Sequence, residues 1–180
     1  MISENKFLPV NIAIVTISDT RDLNSDKSGK ILEERAKNFG HKITFRDIVK
    51  DDFEQIYDLF LKLLKNEHID VIISTGGTGL TGRDITPEVM KQIFEKYIDG
   101  FGEIFRWISY KKIGTSALQS RALAGVANGK YVFCLPGSPS ACKDGWDEIL
   151  KYQLDIRNKP CNFVEIMPRL KEHRFFRSKN

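Results

Sequence analysis

Apolar and polar positions divide this chain into alternating strand-like and helix-like blocks. NIAIVTIS, Asn11 to Ser18, is β-branched and almost wholly apolar, the pattern of a strand covered on both faces. A polar loop, DTRDLNSDKSG, leads into a helical pattern, KILEERAKNFG, with Gly40 placed as its C-terminal cap. HKITFRDIV reads as a second strand. In the next block Phe53, Ile56, Leu59, Phe60, Leu63 and Leu64 fall at the spacing of an amphipathic helix. DVIIST is a third strand that runs straight into glycines.

The second half departs from simple alternation. Pro87 suits the first position of a helix with Thr86 as its cap, and EVMKQIFEKY continues it. FGEIFRWISYKK carries Phe101, Ile104, Phe105 and Ile108 on one helical face, with Phe105, Trp107 and Tyr110 available to a neighbouring subunit. Asn128-Gly129 between two apolar runs predicts a hairpin. PGSPS then breaks the chain, and Ser140 is positioned to cap a last helix, ACKDGWDEILKYQLDI. The expectation is an α/β single domain over residues 11–158: a mostly parallel sheet, helices on both faces, and a β-hairpin in the C-terminal half. Residues 1–10 form an N-terminal extension and 159–180 an extended tail.

Composition narrows the setting. With 180 residues and 41% hydrophobic content the chain can bury a full-sized core. No run approaches the roughly 18 apolar residues of a membrane span, and the start lacks signal-peptide architecture. Cys134, Cys142 and Cys161 show no C-x-x-C spacing, so neither disulfides nor zinc are expected, and a cytoplasmic protein is. The net charge of +4 is modest. The basic tail RLKEHRFFRSKN, with Phe175 and Phe176, reads as a solvated terminus, so no nucleic-acid partner is expected.

The candidate chemistry sits in STGGTGLTGRDITPE, residues 74–88. Gly77, Gly79 and Gly82 match G-x-G-x-x-G, yet the helix signal comes only at Thr86-Pro87 and two strands precede the motif, so the dinucleotide reading fails on context. A P-loop fails on chemistry, because Arg83 and Asp84 stand where Lys and a hydroxyl are needed. What remains is a glycine loop at the carboxyl end of a parallel strand, where open α/β sheets bind ligands. Gly76, Gly77 and Gly79 can turn several N–H groups toward one anion. Thr75, Thr78, Thr81 and Thr86 add hydroxyls. A carboxylate among phosphate binders makes sense with Mg²⁺ between them, so the loop reads as a nucleotide or phosphate site with Mg²⁺.

STGGTG, RDITPE, GFGEIFR, IGTSALQSRALAGVAN and LPGSPSAC occur in this order. Together they resemble the MoaB/Mog proteins of molybdenum-cofactor biosynthesis, with GTSALQSRALAGVANGK and PCNF closer to the MoaB branch. The resemblance implies a molybdopterin adenylyltransferase that takes ATP and molybdopterin as substrates. It also implies a homotrimer or homohexamer. By the same resemblance Gly76 to Gly79 cradle phosphate and Asp84 holds Mg²⁺. Asp51 matches the family's other acidic position, while Asp52 is read as a helix cap with a swap of roles left open. A non-catalytic, molybdopterin-binding member is the alternative.

Further candidates come from the flanking segments. Ser18 and Asp19 leave the first strand at the same sheet edge; the competing reading is a solvated loop. Ser120 and Arg121 offer a clamp for the pterin phosphate, with a surface ion pair as the other explanation for Arg121. Pro136, Gly137 and Ser138 stand between a strand end and a helix amino end, which favours anions. Cys142 in that first turn is either a thiol of lowered pKa or a small packed residue.

Overall fold

The computed structural model describes residues 6–172. Six strands form one sheet: β1 (Asn11–Ile17), β2 (Lys42–Val49), β3 (Val71–Thr75), β4 (Lys96–Tyr97), β5 (Leu123–Ala127) and β6 (Lys130–Leu135). Their order is β2-β1-β3-β6-β5-β4. The β2-β1, β1-β3 and β3-β6 pairs are parallel, and the β6-β5 and β5-β4 pairs are antiparallel. Asn128 (φ 47°) and Gly129 (φ 73°) make the turn between β5 and β6, since a two-residue hairpin of this hand needs positive φ at both positions.

Strand periodicity sorts the core into two layers. Ile12, Ile14, Val71, Ile73, Phe133 and Leu135 point to one face, where they meet Leu32 and Ala36 of helix α1 (Lys27–Phe39). The same layer takes Phe101 and Phe105 of α4 (Asp99–Ile113) and Cys142 of α5 (Pro139–Gly145), with Trp146 just beyond it. Ala13, Val15, Ile17, Ile72, Val132 and Cys134 point to the other face, against Ile56, Phe60, Leu63 and Leu64 of α2 (Phe53–Lys65) and Val89, Met90 and Ile93 of α3 (Thr86–Ile93). Each fully buried Val, Leu, Ile, Phe or Met among them contributes roughly 1.5–3 kcal/mol. No helix among the described residues is long and apolar enough to cross a membrane.

Several boundaries differ from the sequence reading, each for a physical reason. Thr86 does not cap α3: Ile85 is the cap, and the Thr86 hydroxyl donates to Gly76 O at 3.0 Å. The helix stops at Ile93, and Lys96-Tyr97 pair with β5 instead. Ser138 caps α5 by accepting from Ala141 N at 3.2 Å, in place of Ser140. That helix continues through a π turn, Trp146–Leu150, which ends the regular spacing the sequence suggested. Residues after Pro160 are not simply extended, because Asn162 caps a short helix, Phe163–Ile166, whose Val164 is buried in the core. Phe105 is 1% exposed and belongs to the core rather than to a subunit-facing surface. Phe175 and Phe176 lie outside the described residues.

Candidate functional site

The carboxyl ends of β1, β2, β3 and β6 lie side by side because these strands run parallel. The loops that leave them therefore meet at one edge. β3 turns at Gly76 (φ 111°) and Gly77 (φ 62°), and a Cβ on Gly76 would lie 2.1 Å from Ile17 O, so no other residue fits this crossing. The Gly76 N–H donates to Leu135 O at 3.0 Å, which extends the β3-β6 ladder and removes that amide from any anion cradle. Gly137 presses against the same point, its notional Cβ 3.2 Å from Gly76 Cα.

The loop is fastened from behind. Arg121 N donates to Thr78 O at 2.9 Å. The Arg121 guanidinium donates to Gly79 O at 2.7 Å and Asp84 O at 2.6 Å, and it pairs with Glu88. Arg121 is thus a loop fastener, not a free phosphate clamp. Thr75 serves the same scaffold, donating to Pro136 O at 2.9 Å and accepting from Cys142 Sγ at 3.1 Å. Burial pushes the Cys142 thiol up to about 11, so it is a packed residue and not an activated one.

Two carboxylates reach the loop. Asp52 caps α2 by accepting from Gln55 N at 3.0 Å, which leaves Asp51 to face the glycines. A Cβ on Gly77 would lie 2.9 Å from Asp51 Oδ1, and one on Gly79 would lie 2.8 Å from Asp84 Oδ2. The Asp51 carboxyl is held above the usual carboxylate range, first by burial and then by the negative charges of Asp19 and Asp84. Burial acts the same way on Asp84, but hydrogen bonds from the Thr81 hydroxyl and N–H and from Gly79 outweigh it and hold Asp84 below that range. Asp84 Oδ2 accepts both Thr81 bonds, at 2.6 and 2.9 Å. Arg83, an exposed side chain, pairs with Asp19, whose Oδ1 also accepts from Asp51 N at 3.3 Å.

In front of the loop lies a cleft of about 540 Å³. Gly76, Gly77, Thr78, Gly79, Asp84, Ser120, Pro136, Gly137 and Ser138 line it, as the sequence led one to expect of a single site. Thr75, Arg83, Thr86, Arg121, Ser18, Asp19 and Asp51 stand outside the lining, the last in contact with the loop at Gly77. Ser18 instead lines a smaller polar cavity beside Arg21 and Asp26. A wall formed by α4 and α5 completes the cleft and is not legible in the sequence: Phe105, Ser109, Lys112 and Ile113 on one, Ala141 and Asp144 on the other. The four α4 positions recur at helical spacing, but mixed polarity hid them among ordinary amphipathic residues.

Thr78 is the strongest local sign of a missing partner. It is 2% exposed, lines the cleft, and among the described residues its hydroxyl has no hydrogen-bond partner. A buried hydroxyl without a partner costs about 1–3 kcal/mol, a cost that a bound acceptor would remove. The mutual repulsion of Asp51, Asp84 and Asp19 is likewise suited to a divalent cation taking one or two carboxylates and phosphate oxygens. Among the described residues no group of three or more His, Cys, Asp or Glu side chains forms a complete metal cage, so the ligand itself would have to complete the shell.

Residues 13–156 match the family described as "Probable molybdopterin binding domain". The molybdenum cofactor biosynthesis protein B of Escherichia coli (strain K12) is 43% identical over 158 residues, covering 88% of this chain and 93% of that protein. The protein of the same name from Bacillus cereus is 46% identical over 146 residues, covering 81% and 86%. A crystal structure of molybdenum cofactor biosynthesis protein B aligns with TM-score 0.83 at 42% identity, covering 92% of this chain and 98% of that one. The tungsten cofactor synthesizing protein MoaB from Pyrococcus furiosus aligns with TM-score 0.71 at 35% identity, covering 79% and 91%.

Proposed function

The chain belongs to the molybdopterin-binding family of molybdenum-cofactor biosynthesis proteins, and from that premise we propose that it transfers an adenylyl group from ATP to molybdopterin. The terminal phosphate of molybdopterin attacks the α-phosphorus of ATP. The bond from that phosphorus to the bridging oxygen breaks, the electron pair departs with pyrophosphate, and adenylyl-molybdopterin remains.

Both reactants are anions, so the main task of the site is charge management. The observation that carries the reading is the convergence of Asp51 and Asp84 on Gly77 and Gly79, at the head of a cleft of about 540 Å³. Asp84, with Asp51 beside it, would hold Mg²⁺, which supplies charge neutralisation at the phosphates. Thr78 offers its buried hydroxyl to a phosphate oxygen, and the amino end of α5 at Ser138 favours negative charge beside it. Arg121 keeps the loop in position through Gly79 and Asp84.

One observation favours the alternative of binding without turnover. Asp84 Oδ2 is already engaged by Thr81, as in a purely structural loop. Incubating the protein with ATP, Mg²⁺ and molybdopterin separates the two readings. Adenylyl-molybdopterin and pyrophosphate in equal amounts support transfer. Retained molybdopterin with unchanged ATP replaces it with the binding reading.

A further inference from the structure

On the cleft wall made by α4 and α5, Lys112 and Asp144 both line the cavity and form an ion pair with Nζ to Oδ1 at 2.6 Å. Their side chains are 52% and 13% exposed, so the carboxylate is the sheltered member. Among the described residues Lys112 is the one cation in the cleft's lining, and Asp84, the other carboxylate there, is held by Thr81. Ser138, beside Gly137 and the glycine loop, caps α5, and Asp144 lies about 9 Å further along the helix at 1.5 Å per residue. Ile113 and Ala141 add apolar surface to the same walls.

An ammonium beside a carboxylate presents a donor and then two acceptors in a row. The amide edge of a 2-amino-4-oxopteridine presents the complement: an acceptor at O4, then donors at N3–H and the 2-amino group. Adenine has no such edge. We propose that Lys112 and Asp144 are the specificity-determining residues for a 2-amino-4-oxopteridine ring, with Asp144 accepting from N3–H and the 2-amino group and Lys112 donating to O4. Resting on the functional reading above, this gives the α4-α5 end of the cleft to the pterin and not to the adenine of ATP. The ion pair need not break, because the Lys112 ammonium has donors for both Asp144 and O4.

The test is binding of 6-hydroxymethylpterin against 6-hydroxymethyllumazine, which differs by an oxo group in place of the 2-amino group. The parent protein should prefer the pterin by at least about tenfold, because lumazine turns an acceptor toward Asp144. Asp144→Asn should lower that preference to near unity, with Asp144→Ser in its place if the Asn variant fails to fold. Lys112→Met should weaken both ligands by a similar factor and keep the preference, since O4 is common to them. No preference in the parent, or an unchanged one in a folded Asp144 variant, overturns the assignment. Adenylyl transfer is measured separately: its absence alongside an Asp144-dependent preference removes the proposed reaction and leaves this inference standing.

Discussion

Asp84 and His41 show how neighbours decide what one side chain does. Asp84→Asn keeps the size and a carbonyl oxygen but removes the charge at the loop. If about 3 kcal/mol of transition-state stabilisation goes with it, turnover falls on the order of a hundredfold, since each ~1.4 kcal/mol is tenfold. Molybdopterin binding should change little. Equal turnover in variant and parent would take Asp84 out of the mechanism. His41 lies far from this chemistry, 4% exposed between Phe7, Phe39 and Trp146, with Nδ1 accepting from Val10 N at 3.2 Å. Burial lowers its pKa from 6.5 to about 4, against a smaller opposite pull from Asp155. The fold therefore favours neutral His41, and its contribution is full above pH 6.5 and is lost as pH falls toward about 4. The urea midpoint of the parent should drop across that window more steeply than that of His41→Asn. Parallel curves would show that His41 does not govern the loss.

Among the elements, the glycine loop depends on backbone more than on side chains. Gly76→Ala should cost more than about 1 kcal/mol, because φ is 111° and the new methyl would meet Ile17 O at 2.1 Å. Gly100→Ala in the first turn of α4 meets nothing within 4 Å and should hold or raise the urea midpoint, since Ala suits a helix better than Gly. Similar losses for the two would mean that the crossing of β3 and β1 tolerates a side chain. Arg121→Lys keeps the charge but cannot span Gly79 O, Asp84 O and Glu88 with one ammonium. Amide exchange over residues 77–84 should quicken in that variant, and unchanged exchange would show the loop to be self-supporting.

This is also the scale at which the sequence was most and least legible. β1, β3 and the hairpin were plain, because a strand covered on both faces needs an unbroken apolar run and a tight turn needs Asn-Gly. Asp52 as cap and Asp51 as the loop-facing carboxylate follow the sequence reading as well. The caps at Thr86 and Ser140 misled because a hydroxyl near a helix start can serve a distant acceptor, as Thr86 serves Gly76 O. Lys112 and Asp144 were invisible, since only the packing of α4 on α5 brings them together.

For the molecule as a whole, α4 leaves a stripe that the described residues do not cover. Ile104, Trp107, Tyr110 and Ile113 are each more than half exposed and recur every third residue. Such a patch on a folded chain marks an interaction surface. A homo-oligomer, trimeric or hexameric as the family resemblance implies, should appear in sedimentation velocity, and Trp107→Glu should shift it toward monomer. A clean monomer at micromolar concentration would refute the self-association.

The pairing of β3 with β6 has a consequence in time. These strands are neighbours in the sheet, yet α3, β4, α4 and β5 all lie between them in sequence. Closing so long a loop costs entropy before any contact repays it, so this pairing is expected to form late in assembly. Until β6 docks, Gly76 lacks Leu135 O and Gly137 cannot reach it, and the cleft has no floor. A molecule that fits this cleft recognises only the finished fold. It should lengthen the life of the native protein by slowing unfolding while leaving the rate of refolding unchanged.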